Sequence, residues 1–467
     1  MAQHISRISL LLADRGRRAW LLGFLSVVPL LVWWIGWYPG FVSSDTFDQL
    51  AQAEAFSFNN LHPAIHSLYL WLLGTVTGNV AFVTLFQVLA MAGLLALIGA
   101  RLHRLGVPAA LAVGTIWLVS VLPAVGQTTI AFWKDVPFTL ALLWGFAELM
   151  GMAGDPSGFL RSGGGRYRLG AALGLVWVLR HNGFLTVALL VLVLVVAVPD
   201  RRRLLTTVVA PLIAVVGLVQ VVVYAAIPLN PVTVEPSEVF ISDVAASLRW
   251  EPDNFSAAEL ALLEDIAPLD VWTTAYDCTD STPLAFNASF DIEGLRAHAA
   301  EFQSLALQTI VRDPDTVLGH RWCAANYLFV PDQPDNAYFH RPPFEIPSND
   351  LGLVRDPVSW KAYEFTRSVF VWAEPDGRLW LTWRPALAVW AALGTYAALA
   401  ARRKLRRLLI PGALWLAQLA NVAATSPAQE FRFAFGVYVM ALTSLPLLWF
   451  VFRPSDLAPA SGRPKSR

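Results

Sequence analysis

Charged residues are scarce in this chain of 467 residues: they make up 15% of it, whereas hydrophobic residues make up 56%. Soluble globular domains carry roughly 25% charged residues, so the composition excludes an ordinary soluble protein. Several apolar runs reach the roughly 20 residues that a helix needs to cross a bilayer. We therefore expect an all-α polytopic membrane protein.

Cysteine is also rare, since the chain has only 2 cysteines, Cys278 and Cys323. Two cysteines cannot build the disulfide scaffold of a small secreted protein. They can form a single disulfide if their region lies outside the cytoplasm, and two free thiols are the alternative.

The basic residues occur in short clusters that flank the apolar runs. None of the clusters resembles a nucleic-acid-binding arm, so no nucleic-acid partner is expected. Short basic loops stay in the cytoplasm, which predicts a plasma-membrane protein with both termini cytoplasmic. The clusters lie at 15–18, 101–104, 166–168, 201–203, 402–407 and 462–467.

The hydrophobic pattern predicts about ten transmembrane helices. The apolar run 169–198 is flanked by basic residues on both sides, which requires two short passes hinged at Arg180, His181 and Asn182. The apolar stretch 64–76 is too short to cross, so we expect it to lie in the interface or to re-enter. The other predicted spans are 19–38, 80–100, 107–125, 137–152, 204–228, 385–401, 408–425 and 433–451.

Residues 229–382 contain no apolar run long enough to cross a membrane and hold most of the acidic residues. A segment of about 150 residues has the size of a domain. We expect residues 1–228 to form an N-terminal transmembrane catalytic region with spans one to seven. Residues 229–382 would form an extracytoplasmic mixed domain, inserted between spans seven and eight. Residues 383–467 would supply spans eight to ten and a cytoplasmic tail.

The unusual polar residues fall in loops on the predicted outer side of the membrane. Ionisable groups near membrane depth are costly and point to function. Acids and bases from separate loops that converge on one face predict a site there. These residues are Asp45, Asp48, Glu54, His62 and His66 in the first loop, Lys134 and Asp135 in the second, Arg180, His181 and Asn182 in the third, and Gln429, Glu430 and Arg432 in the last.

Asp45 follows the first predicted span and has two interpretations. As a general base, its carboxylate would take a proton from an acceptor hydroxyl within hydrogen-bond reach. As a structural residue, it would be the N-cap of the helix in "SSDTFDQLAQAEAF", with Asp48 bonding back three residues later.

His62 and His66 stand four residues apart in "HPAIH", a spacing that could ligate zinc on one helix face. The glutamate of a HExxH motif is missing. The alternative is that Pro63 opens the helix at its first position, with His62 bordering a cavity and His66 packed inside.

Arg180 and Arg432 are cations beside very apolar segments, so each needs an anionic partner. Arginine binds phosphate through two parallel hydrogen bonds, which favours a lipid headgroup or a phosphate. Snorkelling to the membrane surface is the alternative. Lys134 and Asp135 could instead simply pair with each other at the interface.

The order of these motifs resembles the GT-C class of membrane glycosyltransferases, of the protein O-mannosyltransferase and aminoarabinose-transferase type, and uncharacterised bacterial relatives of that class. In that class an acid follows the first span and an "HPP"-like element opens a short helix. Here these are Asp45 and "HPAIHSLYLWLLG". A second acid follows, here Asp135 in "WKDVPF", and then a Gly-rich helix that ends in a basic residue, here Arg180. The resemblance covers residues 1–200 and departs at Thr46 and Ala64, where the class often has an acid and a proline.

The resemblance implies a GT-C-like bundle and an inverting transferase. Such an enzyme moves a hexose or pentose from a polyprenyl-phosphate donor to a glycan, lipid or protein acceptor at the outer face of the membrane. Asp45 would be the catalytic base, and Asp135 would place the acceptor or a divalent metal, with no metal ligands assigned. The donor would be bound by Lys134, Arg180, His181, His62 and Arg432.

A lipid or sugar transporter, or a flippase, is the alternative function. Transport sites lie near the bilayer midplane, at broken helices in repeated halves of a chain. This chain has one predicted broken pair and no visible repeat. A third interpretation, a non-catalytic surface or assembly protein, predicts no cavity that joins Asp45 to Arg180.

Overall fold

The computed structural model describes residues 20–453, apart from 22, 60, 162–163, 199, 231–236, 334–343 and 375. The basic cluster at 15–18 and the predicted cytoplasmic tail lie outside the described residues. Within the described part of the chain, helices form most of the structure, and the strands named are one parallel pair of two residues each.

The N-terminal part forms a helical bundle, and its apolar sequence runs explain why. Backbone groups inside a bilayer must be hydrogen-bonded within their own segment, which a helix achieves. The elements are α1 Val27–Gly36, α2 Ser44–Ala55, β1 Phe58–Asn59, α3 Ala64–Leu70 continued by a π-helix at Trp71–Thr75, α4 Ala81–Leu105, α5 Ala109–Val121, α6 Pro123–Thr129, α7 Asp135–Gly154, α8 Pro156–Arg161, α9 Gly164–Leu179, α10 Gly183–Ala197 and α11 Arg201–Ala226.

The remaining elements belong to the long polar segment and to the C-terminal helices. They are β2 Leu229–Asn230, α12 Ser237–Trp250, a 3₁₀-helix at Pro252–Asn254, α13 Ala257–Ile266, α14 Leu269–Thr274, α15 Thr282–Ala285, α16 Ile292–Ala297, α17 Ala299–Arg312, α18 Pro314–Ala325 followed by a 3₁₀-helix at Asn326–Leu328, α19 Trp360–Ala373, α20 Asp376–Thr382, α21 Ala386–Ala400, α22 Arg403–Thr425 and α23 Phe431–Phe452.

Within the described residues, five helices are long and apolar enough to cross a membrane: α4, α7, α11, α22 and α23. Helices α5 and α6 make a sixth candidate as a pair bent by 67°. Helices α1 and α10 are shorter and apolar. The protein is therefore a helical membrane protein, and the count of about ten spans remains a prediction, as does the orientation.

Helix α7 is the central helix of the bundle. It packs against α4, α9, α22 and α23, and 89% of its most apolar stretch is buried inside the protein. Asp135 is its first residue. We call the end of the bundle that carries Asp135 the outer end, following the predicted topology. The Asp135 carboxylate is therefore held by a helix that is buried along most of its length.

The run 169–198 forms two helices, α9 and α10, that break at Arg180, His181 and Asn182. Gly183 makes this turn possible. A Cβ at Gly183 would lie 2.0 Å from the carbonyl oxygen of Val176, so only glycine fits there. The tight turn leaves Arg180 at the end of α9, next to the start of α7.

The described part of residues 229–382 divides its packing between two cores. Helices α12 to α17 enclose a separate hydrophobic core around the fully buried Trp272. Later residues, including Tyr327 and Phe370, join the core of the bundle instead. Cys278 and Cys323 form a disulfide with their Cα atoms 5.7 Å apart. The free-thiol alternative is therefore wrong, while the domain limits remain a prediction.

A buried ion-pair cluster lies near the end of α7 opposite Asp135. The Glu148 side chain is 1% exposed and accepts hydrogen bonds from Arg101 at 3.0 Å and from Arg168 at 2.7 Å. Burying a charge is costly unless it is paired and hydrogen-bonded. The cluster connects α4, α7 and α9. It is not among the polar groups that the sequence pattern indicates.

Candidate active site

Two loops that are far apart in the sequence pair at the outer end. The Phe41 N–H donates to the Ile130 carbonyl at 2.9 Å, and the Phe132 N–H donates to the Phe41 carbonyl at 3.1 Å. The indole N–H of Trp133 then donates to the Ser43 hydroxyl at 3.0 Å. This pairing brings the start of α2 beside the start of α7.

Asp45 lies in the first turn of α2, but it is not the helix cap. Ser43 occupies the N-cap position and forms a capping box with Thr46. Asp48 accepts a hydrogen bond from Gln52 at 2.7 Å. The N-cap interpretation of Asp45 is therefore wrong, because the residues on either side of Asp45 already satisfy the helix terminus. The Asp45 carboxylate is left to face other loops.

The Asp45 carboxylate faces the guanidinium of Arg432, from the last helix, and the imidazole of His62, from the segment after α2. Its Oδ2 accepts a hydrogen bond from Arg432 Nη1 at 3.1 Å and lies 3.9 Å from His62 Nε2. Burial acts to raise the pKa of Asp45, but the charges of Arg432 and Lys134 outweigh burial and hold this pKa well below its usual range. The side chain remains 31% exposed, so a substrate can reach it.

His62 links Asp45 to Lys134. Lys134 Nζ lies 2.8 Å from His62 Nδ1, and since an ammonium group only donates, His62 accepts at Nδ1. Burial, followed by the Lys134 charge, lowers the pKa of His62 to about 2. A neutral imidazole with its proton on Nε2 therefore points that proton toward Asp45. His66, in α3, is fully buried.

Asp135 and Arg180 form the second ion pair of the site. Arg180 Nη1 donates to Asp135 Oδ1, and Asp135 is 1% exposed. The Arg180 guanidinium also lies over the rings of Phe138 and Phe433, at 5.5 and 5.4 Å from their centroids. Both the pairing and the ring contacts favour a buried guanidinium over a snorkelling one.

Arg432 bridges two acids at the start of α23. Its Nε donates to Glu430 Oε2 at 2.8 Å while Nη1 reaches Asp45. Burial raises the pKa of Glu430 to about 7, even though Arg432 opposes the rise. The guanidinium packs over Trp133 and Phe433 at 5.5 and 5.0 Å. Phe433 thus contacts the guanidinium groups of both Arg180 and Arg432.

These side chains surround one small polar cleft. Two of its buried acceptors, Gln49 Oε1 and Asp135 Oδ2, have no hydrogen-bond partner among the described residues. Buried acceptors without partners suit a ligand that brings hydroxyl groups. The cleft is lined by Asp45, Gln49, Trp133, Lys134, Asp135 and Arg432.

The donor set does not fit a divalent metal. The Asp135 carboxylate is occupied by Arg180, and the ammonium group of Lys134 precedes it in the chain. Across the described ranges, no three His, Cys, Asp or Glu side chains are grouped as a metal site would require. The expectation that Asp135 places a metal, and the zinc interpretation of His62 and His66, are therefore not supported by the residues present.

The structure brings together six of the seven residues that the sequence selects: Asp45, His62, Lys134, Asp135, Arg180 and Arg432. His181 is exposed in the turn after α9 and does not line the cleft. Gln49, Trp133 and Phe433 were missed. Gln49 follows Asp45 by four residues on one helix face, a spacing that could have indicated it. The role of Phe433 between two arginines has no sequence signal.

Comparison with known proteins places the chain in a family. Residues 61–456 match the profile described as "Family of unknown function (DUF6020)", a range that includes His62 and Arg432 but not Asp45. None of the curated proteins matches. One solved structure that resembles the chain is the archaeal oligosaccharyltransferase AglB from Archaeoglobus fulgidus in complex with an inhibitory peptide and a dolichol-phosphate. The TM-score is 0.40 at 12% identity, over 97% of this chain and 52% of that one, so this chain spans about half of AglB. The family match covers most of the sequence, and the chain belongs to the DUF6020 family.

Proposed function

We propose that this protein is an inverting membrane glycosyltransferase that moves a sugar from a polyprenyl-phosphate donor to an acceptor hydroxyl at the outer end of the bundle. The observation that carries the proposal is the contact between Asp45 and Arg432. It joins a candidate base to a candidate phosphate ligand in one cleft. A hydroxyl acceptor needs the first group and a phosphate leaving group needs the second.

The ion pair with Arg432 also links donor binding to the basicity of Asp45. While Arg432 donates to Asp45, the low pKa of Asp45 makes it a poor proton acceptor. A donor phosphate competes for the same guanidinium and brings negative charge next to Asp45. Both effects raise the pKa of Asp45, because a lost cation and a gained anion each disfavour the carboxylate. Donor binding therefore prepares the base.

The reaction itself needs one proton transfer and one displacement. The acceptor oxygen attacks the anomeric carbon while Asp45 takes the proton of the acceptor hydroxyl. The bond from the anomeric carbon to the phosphate oxygen breaks, and the polyprenyl phosphate leaves with the electron pair. Arg432 and Lys134 stabilise the charge that grows on the phosphate. Asp135 Oδ1 holds Arg180, and Oδ2 is available to orient the acceptor.

The proposal is tested with membranes that contain the protein and a panel of polyprenyl-phosphate hexoses and pentoses carrying a radiolabel in the sugar. Release of the labelled sugar from the polyprenyl-phosphate donor, resolved by chromatography from glycan, lipid or protein products, measures transfer. We expect Asp45→Asn to abolish release, by roughly 10²-fold or more, because general base catalysis typically contributes that much. The matched control is Asp48→Asn, since Asp48 is an exposed acid on the same helix that contacts Gln52 and not the cleft.

Loss of release in Asp45→Asn with normal release in Asp48→Asn supports the assignment. Unchanged release in Asp45→Asn overturns Asp45 as the base. If no donor of the panel loses its sugar to the unaltered protein but a fluorescent polyprenyl phosphate is moved between leaflets of reconstituted vesicles, the flippase alternative replaces the transferase.

A further inference from the structure

Gln429 is a buried glutamine, 4% exposed, whose three polar side-chain contacts all reach other segments. Its Nε2 donates to the carbonyl of Cys323 at 2.7 Å and to the Asn326 side chain at 2.9 Å. Its Oε1 accepts from Arg384 at 2.9 Å. An amide that uses both ends in this way has a single favourable orientation.

The backbone of the loop at Gln429 is bound by a second chain segment, residues 279–281. Its N–H donates to the Thr279 carbonyl at 2.8 Å, and the Ser281 N–H donates to the Pro427 carbonyl at 3.1 Å. Thr279 follows Cys278 directly, and Cys278 is bonded to Cys323. The loop before α23 is therefore bound on both sides by the two chain segments that the disulfide joins.

This loop leads directly into the cleft. Glu430 is the next residue, and it accepts from Arg432, which in turn donates to Asp45. A shift of Gln429 by one hydrogen-bond length would move Glu430 by a similar amount. Misplacing catalytic groups by about 1 Å is enough to reduce a rate by as much as ~10²-fold.

We propose that Gln429 is a positioning residue for Glu430 and Arg432, and that the Cys278–Cys323 disulfide holds the two segments between which Gln429 is bound. The clamp is defined as Gln429, Cys278, Cys323 and Arg384. Its effect on transfer rests on the proposed function above, whereas its effect on the position of the loop does not.

The position of the loop is tested by thiol labelling. The chain has 2 cysteines and both are in the disulfide, so Glu430→Cys introduces a single free thiol at a buried position. Intact mass before labelling verifies that the native disulfide is retained. We expect slow labelling by a maleimide in this background. Adding Gln429→Ala should raise the labelling rate roughly tenfold, because loss of buried hydrogen bonds lets the loop open locally.

The matched control is Gln418→Ala. Gln418 is also a buried glutamine, and it accepts from Thr186 inside the bundle instead of holding the loop. It should leave the labelling rate of Glu430→Cys unchanged. If Gln429→Ala does not fold, Gln429→Glu replaces it. That variant is isosteric and keeps the acceptor for Arg384 but loses both donors, so it should also raise the rate.

The disulfide is tested separately with Cys278→Ser and Cys323→Ser together, in the same Glu430→Cys background. A rise in labelling similar to that in Gln429→Ala supports the clamp. Labelling rates within twofold of the parent in both variants overturn it, whether or not sugar transfer is detected. If labelling rises but no sugar transfer is found in the otherwise unaltered protein, the clamp stands and the proposed function fails.

Discussion

Arg432 and Asp45 are 387 positions apart in the chain, yet Arg432 Nη1 donates to Asp45 Oδ2 at 3.1 Å. One residue starts the last helix and the other lies in the first helix after α1. The contact closes the cleft, because Lys134 and Asp135 from the loop between them in sequence line the same space. Because the two side chains are paired, a ligand that binds Arg432 also changes the pKa of Asp45.

Arg432→Ala should raise the donor KM by roughly 10- to 100-fold, since a charge-assisted hydrogen bond contributes about 1.5–3 kcal/mol. The measurement is label release as a function of donor concentration. The control is Arg402→Ala, an exposed arginine at the opposite end of the bundle. An unchanged KM in Arg432→Ala would remove Arg432 from the donor site.

Asp135→Asn should destabilise the protein by about 3–5 kcal/mol, because it leaves the buried Arg180 charge without its anion. The Arg180 side chain is 11% exposed, so water cannot replace the partner. The double variant Asp135→Asn with Arg180→Gln should recover most of this stability in thermal unfolding but no sugar transfer. Recovery of transfer by the double variant would mean that the pair is structural only.

Glu430→Gln should change how stability depends on pH. The pKa of Glu430 is about 7 in the folded protein against an ordinary value of 4.5, so the folded state retains the proton to higher pH. Stability from this group is present below 4.5 and is lost as the pH rises toward 7. Glutamine has no such loss.

The difference in free energy of unfolding between Glu430→Gln and the unaltered protein should therefore shift in favour of Glu430→Gln by on the order of 2 kcal/mol between pH 5 and 7. Above pH 7 this difference should stay constant. Thermal unfolding of both proteins over this pH range measures it. The exposed Glu364→Gln controls for the substitution itself. A stability difference that does not vary with pH would contradict the burial of an ionisable Glu430.

Glu148 should matter for stability and not for the cleft. Its pair with Arg101 is more buried than its pair with Arg168, since those arginine side chains are 17% and 49% exposed. Thermal unfolding should show a larger loss for Arg101→Gln than for Arg168→Gln, because solvent screens the attraction between Glu148 and the more exposed Arg168 more strongly. Glu148→Gln should cost about 3–5 kcal/mol and leave the donor KM unchanged. Equal losses for the two arginine variants would show that exposure does not set the cost.

The membrane class and the broken helix were predictable because they depend on local quantities. Hydrophobic length identifies candidate spans, and basic flanks on both sides of 169–198 required two passes. The break is where the sequence places Arg180, and Gly183 supplies the turn. The number of spans is harder to predict from hydrophobic length, because α1, α9, α10 and α21 are short helices that pack beside longer ones.

The sequence selected most of the side chains that meet around the cleft, but it did not show which of them pair, and their roles in a site stay predictions. Each ionisable residue stood out because it lay next to an apolar run. The assignment of Asp45 as a helix cap failed because Ser43 and Thr46 fill that role. Glu148 was not predicted as part of an ion pair, because it lies within an apolar span. Its arginine partners are on other helices, and they reach it only when α4, α7 and α9 pack together.

Local chemistry along the chain determined that this is a helical membrane protein with acids and cations collected in loops between its apolar segments. Tertiary packing decided which of them meet: Asp45 with Arg432, Lys134 with His62, and Arg180 with Asp135. The reason is that partner choice at low dielectric depends on distances between segments that lie 45 to 387 residues apart in the chain, which no local pattern encodes. The contact between Gln429 and the segments joined by the disulfide also depends on tertiary structure. Two cysteines in the sequence show that a disulfide is feasible, but they do not show which loop packs beside it.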